Sequence, residues 1–246
     1  MANKGKYYES QFEKATIELL CEAHWQYAFG DDIHRKYTDP FIEEDLRNFL
    51  AAQYKDKNLT TSEMDSIVAN LRNTGGQNDY YALRNAFLLY RDGYDFAYSD
   101  GRYNPFRLEY IDFEHPDHNV FRCVNQFVME QGRENRRPDI LLFINGIPVC
   151  IIELKNPTKQ NATIRDAHTQ ICMRYMRDIP ALLKYCALAV ISDGAKNALG
   201  TTYTPFEFFY EWKKIENEDT AGKGLDTLRT LIRGALSPER ILEILR

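Results

Sequence analysis

Residues 136–158, RRPDILLFINGIPVCIIELKNPT, constrain the fold more than any other part of the chain. Two apolar runs, 140–144 and 147–152, flank Asn145-Gly146. An Asn-Gly pair between apolar runs signals a β-hairpin, because both residues accept positive φ. Neither run alternates with polar residues, as expected of central strands covered on both faces. Three charged side chains, Asp139, Glu153 and Lys155, stand at the outer ends of the runs. Charge beside buried strands is costly unless it is paired. Register decides whether the two acids can cooperate. A plain two-residue turn would pair Asp139 with Ile152 and send Glu153 to the opposite face. A three-residue loop, 144–146, would pair Phe143 with Ile147, set Asp139 opposite Ile151 and leave it diagonal to Glu153 on one face. A β-bulge would have the same effect, and one of these two devices is predicted. Lys155 follows on the face of Glu153, because strand side chains alternate.

Helical spacing dominates the first third. Helices are predicted over about 8–24, 40–54, 62–74 and 77–90, the third capped by Ser62 with Asp65. Residues 106–113 alternate as a half-buried strand, and 120–129 do so more loosely. After the hairpin a helix is predicted over about 162–177. Ile164, Ala167, Ile171 and Tyr175 form its apolar stripe, and Thr163, Asp166, Gln170 and Arg174 a second one. A buried strand at 185–191 and two short helices split by Ser237-Pro238 complete the chain. The pattern is α/β (α+β): a central mixed sheet flanked by helices, with a helical N-terminal region. The division expected is 1–76 helical, 77–213 core, and 214–246 a C-terminal helical segment.

The chain has 246 residues, 44% hydrophobic and 27% charged, as in ordinary soluble globular proteins. No apolar run is long enough to span a bilayer, and MANKGKYYESQFEKA lacks a signal-peptide core. Five scattered cysteines, with no CxxC, point to a reducing cytoplasm. The net charge of −5 gives no global sign of nucleic-acid binding. Basic residues nevertheless gather around the motif. Arg136, Arg137, Lys159, Arg165 and Arg174 are candidates for phosphate contact. His115-Pro-Asp-His118, with Cys123, is read as a turn rather than a zinc site. Glu9 and Glu13 are read as a solvated helix face.

The chemistry expected of the hairpin is metal-dependent phosphodiester hydrolysis. Asp139, Glu153 and the Leu154 backbone carbonyl are oxygen donors suited to Mg²⁺, with Mn²⁺ as an alternative. Lys155 would orient the attacking water and stabilise developing charge. The stretch 138–158 strongly resembles the nuclease motif of the R (HsdR) subunit of type I restriction enzymes, which carries a PD-(D/E)xK core. The resemblance extends through Gln170-Ile171, Ile179-Pro180, 189–194 and Trp212-Lys213. It implies a restriction-endonuclease-like core with Asp139, Glu153, Lys155 and Gln170 as catalytic residues. It further implies double-stranded DNA as substrate, with modification and specificity subunits as partners. An ATP-driven translocase would lie elsewhere in the full-length subunit. No GxxxxGK[ST] occurs here, so ATP is not expected on these residues and the chain looks like an excised N-terminal domain. The resembled family commonly spaces its helix glutamine and a tyrosine four apart. Here Arg174 holds that position, and Tyr175 falls about 140° away from Gln170 on an ideal helix. Tyr175 is therefore expected in the core, off the site. Competing readings are a catalytically idle DNA clamp or docking module, and another PD-(D/E)xK nuclease of repair type.

Overall fold

A computed structural model describes residues 2–155, 163–215, 222 and 224–246, with side chains from Ser10 onward. The elements are α1 (Ala2–Glu22), β1 (Gln26–Phe29), α2 (Glu43–Gln53), α3 (Thr61–Arg72), α4 (Asp79–Asp92), β2 (Tyr94–Phe96), β3 (Phe106–Leu108), β4 (Phe121–Asn125), β5 (Met129–Gln131) and β6 (Glu134–Arg136). The hairpin strands β7 (Ile140–Ile144) and β8 (Ile147–Leu154) follow. Then come α5 (Ile164–Thr169), a π-helical turn (Gln170–Tyr175), α6 (Met176–Asp178), α7 (Pro180–Leu183), β9 (Leu188–Ser192), β10 (Asn197–Gly200), α8 (Leu225–Leu231) and α9 (Pro238–Leu245).

The main sheet has the order β1-β4-β7-β8-β9-β10. It is mixed: β1 runs parallel to β4 and β8 to β9, while the β4–β7, β7–β8 and β9–β10 pairs are antiparallel. The hairpin is at its centre, and every residue of β7 and β8 is buried, as the unbroken apolar runs require. Alternation along the strands divides the core in two. Leu142, Ile152 and Leu154 pack with Leu20, Leu46, Leu50, Tyr90, Leu231 and Ile241. Leu141, Phe143 and Ile151 pack with Ala167, Ile171, Tyr175 and Leu182 on the other face. No helix among the described residues is long and apolar enough to cross a membrane, and all five cysteines are free thiols.

Several local expectations change. The eight-residue strand at 106–113 is only β3, paired with β2 in a separate small hairpin. Its alternation is interrupted because the Asp112 side chain accepts the backbone N–H groups of Glu114 and His115, which turns the chain. The third helix is capped by Thr60 with Glu63 in a capping box, not by Ser62 with Asp65. Strands β1 and β10 were not legible, being four residues each with little alternation.

Candidate active site

The register of the hairpin decides which face each acid occupies. Asn145-Gly146 is a two-residue turn with both φ positive, at 50° and 75°, and Ile144 pairs with Ile147. The three-residue loop is therefore absent. The second device is present: Phe143 pairs with Pro148 but Leu142 with Cys150, leaving Val149 as the extra residue of a β-bulge. Pro148 explains its position, since proline has no N–H for the ladder and is found in strands at edges, starts and bulges. Beyond the bulge, Ile140 pairs with Ile152. One step further, Asp139 lies opposite Glu153 rather than opposite Ile151. Both acids thus share the face that carries Leu141 and Ile151.

Each side chain is held in place. The Leu154 N–H donates to Asp139 Oδ2 at 2.7 Å, clipping the strand end. Glu153 is 1% exposed. Lys155 Nζ donates to Glu153 Oε1 at 2.9 Å and to Gln170 Oε1 at 2.6 Å. Glu153 Oε2 accepts no hydrogen bond among the described residues. Burial, and then the charge of Asp139, push the Glu153 carboxyl well above the ordinary carboxylate range, with Lys155 and the Tyr175 hydroxyl, which faces the same carboxyl beyond direct contact with Oε2, pulling the other way.

Tyr175 is in the core as expected, but the helix after the hairpin also brings its hydroxyl to Gln170. Residues Gln170–Tyr175 form a π turn, with i→i+5 rather than i→i+4 bonding. The turn absorbs one residue, so positions five apart come onto one side. Gln170 Nε2 donates to the Tyr175 hydroxyl at 2.6 Å. Tyr175 is 3% exposed and packs among Ile151 and Ile171, yet its hydroxyl joins the Lys155–Gln170 chain. Burial and the Glu153 charge raise its pKa, which keeps the phenol protonated.

Glu13 is a second correction. It is half-buried rather than solvated, and it accepts from Asn125 Nδ2 at 2.6 Å and Gln126 Nε2 at 2.9 Å. It faces a cleft of about 1370 Å³ whose walls include Lys14, Tyr27, Arg137 and Asp139. Nothing in its helical spacing distinguished it from Glu9, whose side chain lies outside the described residues.

The candidate phosphate contacts divide. Arg137 is exposed on the cleft wall, and Arg174 is exposed on the π turn. Arg165 lies over the Phe206 ring and 3.5 Å from Glu207. Arg136 is engaged with Asp178 at 2.6 Å and with Glu134. Lys159 lies outside the described residues. Cys123 is in the core, away from His115 and His118, which instead meet Asp112.

A mixed sheet between helical layers, with a hairpin whose strand ends bear paired carboxylates and a lysine, defines an α+β nuclease-like fold. The family described as type I restriction enzyme R protein N terminus (HSDR_N) matches residues 6–208, and the chain belongs to it. It is 28% identical over 249 residues to the type I restriction enzyme HindI endonuclease subunit of Haemophilus influenzae, covering 97% of this chain and 23% of that protein. A putative type I restriction enzyme MjaIXP endonuclease subunit of Methanocaldococcus jannaschii is 28% identical over 257 residues, 95% of this chain and 24% of that one. The EcoprrI endonuclease subunit of Escherichia coli is 32% identical over 133 residues, half of this chain and 40% of that one. The chain thus spans about a quarter of the length of the first two relatives.

Proposed function

We propose that this chain is the DNA-cleaving part of a type I restriction R subunit, hydrolysing phosphodiesters of double-stranded DNA with Mg²⁺. The observation that carries the reading is Glu153: a buried carboxylate opposite Asp139, bonded to Lys155, with one oxygen unpartnered among the described residues. A divalent cation fits that donor set, because it would satisfy the orphaned oxygen and offset the repulsion between the two acids. Asp139, Glu153 and the Leu154 carbonyl would hold it, and Mn²⁺ suits the same oxygens. When bound, such an ion supplies Lewis-acid polarisation of the phosphate and a lowered pKa for the attacking water.

The protein's own groups do the rest. Lys155 presents an ammonium where negative charge grows on the phosphate. Gln170 fixes that ammonium, and Tyr175 fixes Gln170, so the charge needs little reorganisation. Arg137 and Lys14 supply the cations of the cleft beside Asp139. The relatives are named as endonuclease subunits of type I enzymes, which supports the further proposal that cleavage here belongs to a complex with modification and specificity subunits and an ATP-driven translocase.

Plasmid cleavage by the assembled complex tests this. Lys155→Ala should abolish nicking and linearisation and leave ATP hydrolysis intact. Undiminished cleavage would contradict the proposal. DNA retention by the wild type with neither cleavage nor metal binding would favour the idle clamp. Cutting by the isolated chain without ATP or other subunits would favour a nuclease of repair type.

A further inference from the structure

At the end of β4 remote from the hairpin acids, Asp112 is 5% exposed and receives two imidazoles. His118 Nδ1 is 2.9 Å and His115 Nδ1 3.3 Å from the same oxygen, Oδ2. The two rings lie nearly parallel, 24° apart with centroids at 4.8 Å. Oδ2 also accepts the Gln53 amide at 3.2 Å, and Oδ1 accepts the backbone N–H groups of Glu114 and His115. Three N–H donors and two imidazole nitrogens therefore converge on Asp112, and with both imidazoles as Nδ1–H donors five groups would meet about four lone-pair sites. Hydrogen bonding alone oversupplies Asp112. A metal ion removes the conflict, since the imidazoles would then turn lone pairs, not N–H groups, toward the shared point.

We propose that Asp112, His115 and His118 form a binding site for a first-row transition ion, zinc above all, separate from the hairpin. Ligands at roughly 2.0–2.2 Å from tetrahedral zinc stand about 3.3–3.5 Å from one another. The two nitrogen–oxygen separations of 2.9 and 3.3 Å come within about half an ångström of that spacing, and all three ligand atoms lie within 4.8 Å of one another. Two nitrogens and one oxygen select zinc, cobalt or nickel over magnesium, which takes oxygen donors. Both histidines are half-exposed, which leaves a fourth position open to water. The ion would fasten the 109–119 connection to α2 through Gln53. β4 holds it about 14 Å or more from the hairpin acids at ~3.4 Å per residue, so its role is structural rather than catalytic.

The test is zinc competition against a chromophoric chelator, in millimolar Mg²⁺, with the 246-residue chain. One zinc per chain is expected. His115→Ala and His118→Ala should each weaken it at least tenfold, and Glu153→Gln should leave it unchanged. Zinc should raise the Tm of the wild type and not that of His118→Ala, and far-UV circular dichroism should match across all variants. No stoichiometric zinc in the wild type would overturn the site, and so would zinc retained in either histidine variant. Zinc lost with Glu153→Gln would move the ion to the hairpin and equally overturn it.

Discussion

Glu153 is buried and half-satisfied beside the Asp139 charge, so ionising it costs stability unless something compensates. Lys155 bonds one oxygen, and the other has no partner among the described residues. An unsatisfied buried polar group costs roughly 1–3 kcal/mol. Glu153→Gln keeps an oxygen for Lys155 and removes the repulsion from Asp139. In chelator at pH 8 it should therefore be more stable than the wild type in urea denaturation, by about 1.4 kcal/mol for each unit by which folding raises the Glu153 pKa. A variant less stable than the wild type would show that Glu153 is a structural ion pair. The three hairpin charges were legible in the sequence because charge at the ends of unbroken apolar runs is conspicuous. Glu13 was not, because its partners Asn125 and Gln126 are more than a hundred residues away.

At the scale of elements, two one-residue irregularities build the site. The bulge at Val149 sets Asp139 opposite Glu153, and the π turn returns Tyr175 to Gln170. The need for an irregularity in the hairpin followed from parity alone. Its location did not, although Pro148 in a central strand was an available sign. The π turn was hidden because ideal helical spacing sent Tyr175 away, and only the contact between the two side chains reveals the extra residue. The turn behaves as a one-residue insertion, so deleting exposed Met173 should restore an ordinary helix with Gln170 and Tyr175 four apart. The shortened chain should unfold cooperatively within about 1 kcal/mol of the wild type, as surface changes usually do. Loss of a cooperative transition in circular dichroism would mean that the π turn is required by packing.

For the whole molecule, the sheet between two helical layers was legible from periodicity, while its edges β1 and β10 were too short to register. Acid stability depends on charge pairs outside the sheet. The Arg102 guanidinium, with the Thr60 backbone N–H, lowers the Glu63 carboxyl from 4.5 to about 2. A depressed carboxylate stabilises the fold fully above its unfolded pKa, and that contribution disappears as pH falls from 4.5 toward 2. The stability difference between wild type and Glu63→Gln should therefore be larger at pH 7 than at pH 3 in urea midpoints. Equal differences would contradict the pairing. The proposed function requires that the bulged hairpin bind a divalent metal through Asp139 and Glu153. Calorimetric titration of the chain with Mn²⁺ tests it most directly. Binding should be present in the wild type and in His118→Ala, and lost when either Asp139→Asn or Glu153→Gln is added to His118→Ala. Binding that survives in those two double variants would rule out a metal site on the hairpin.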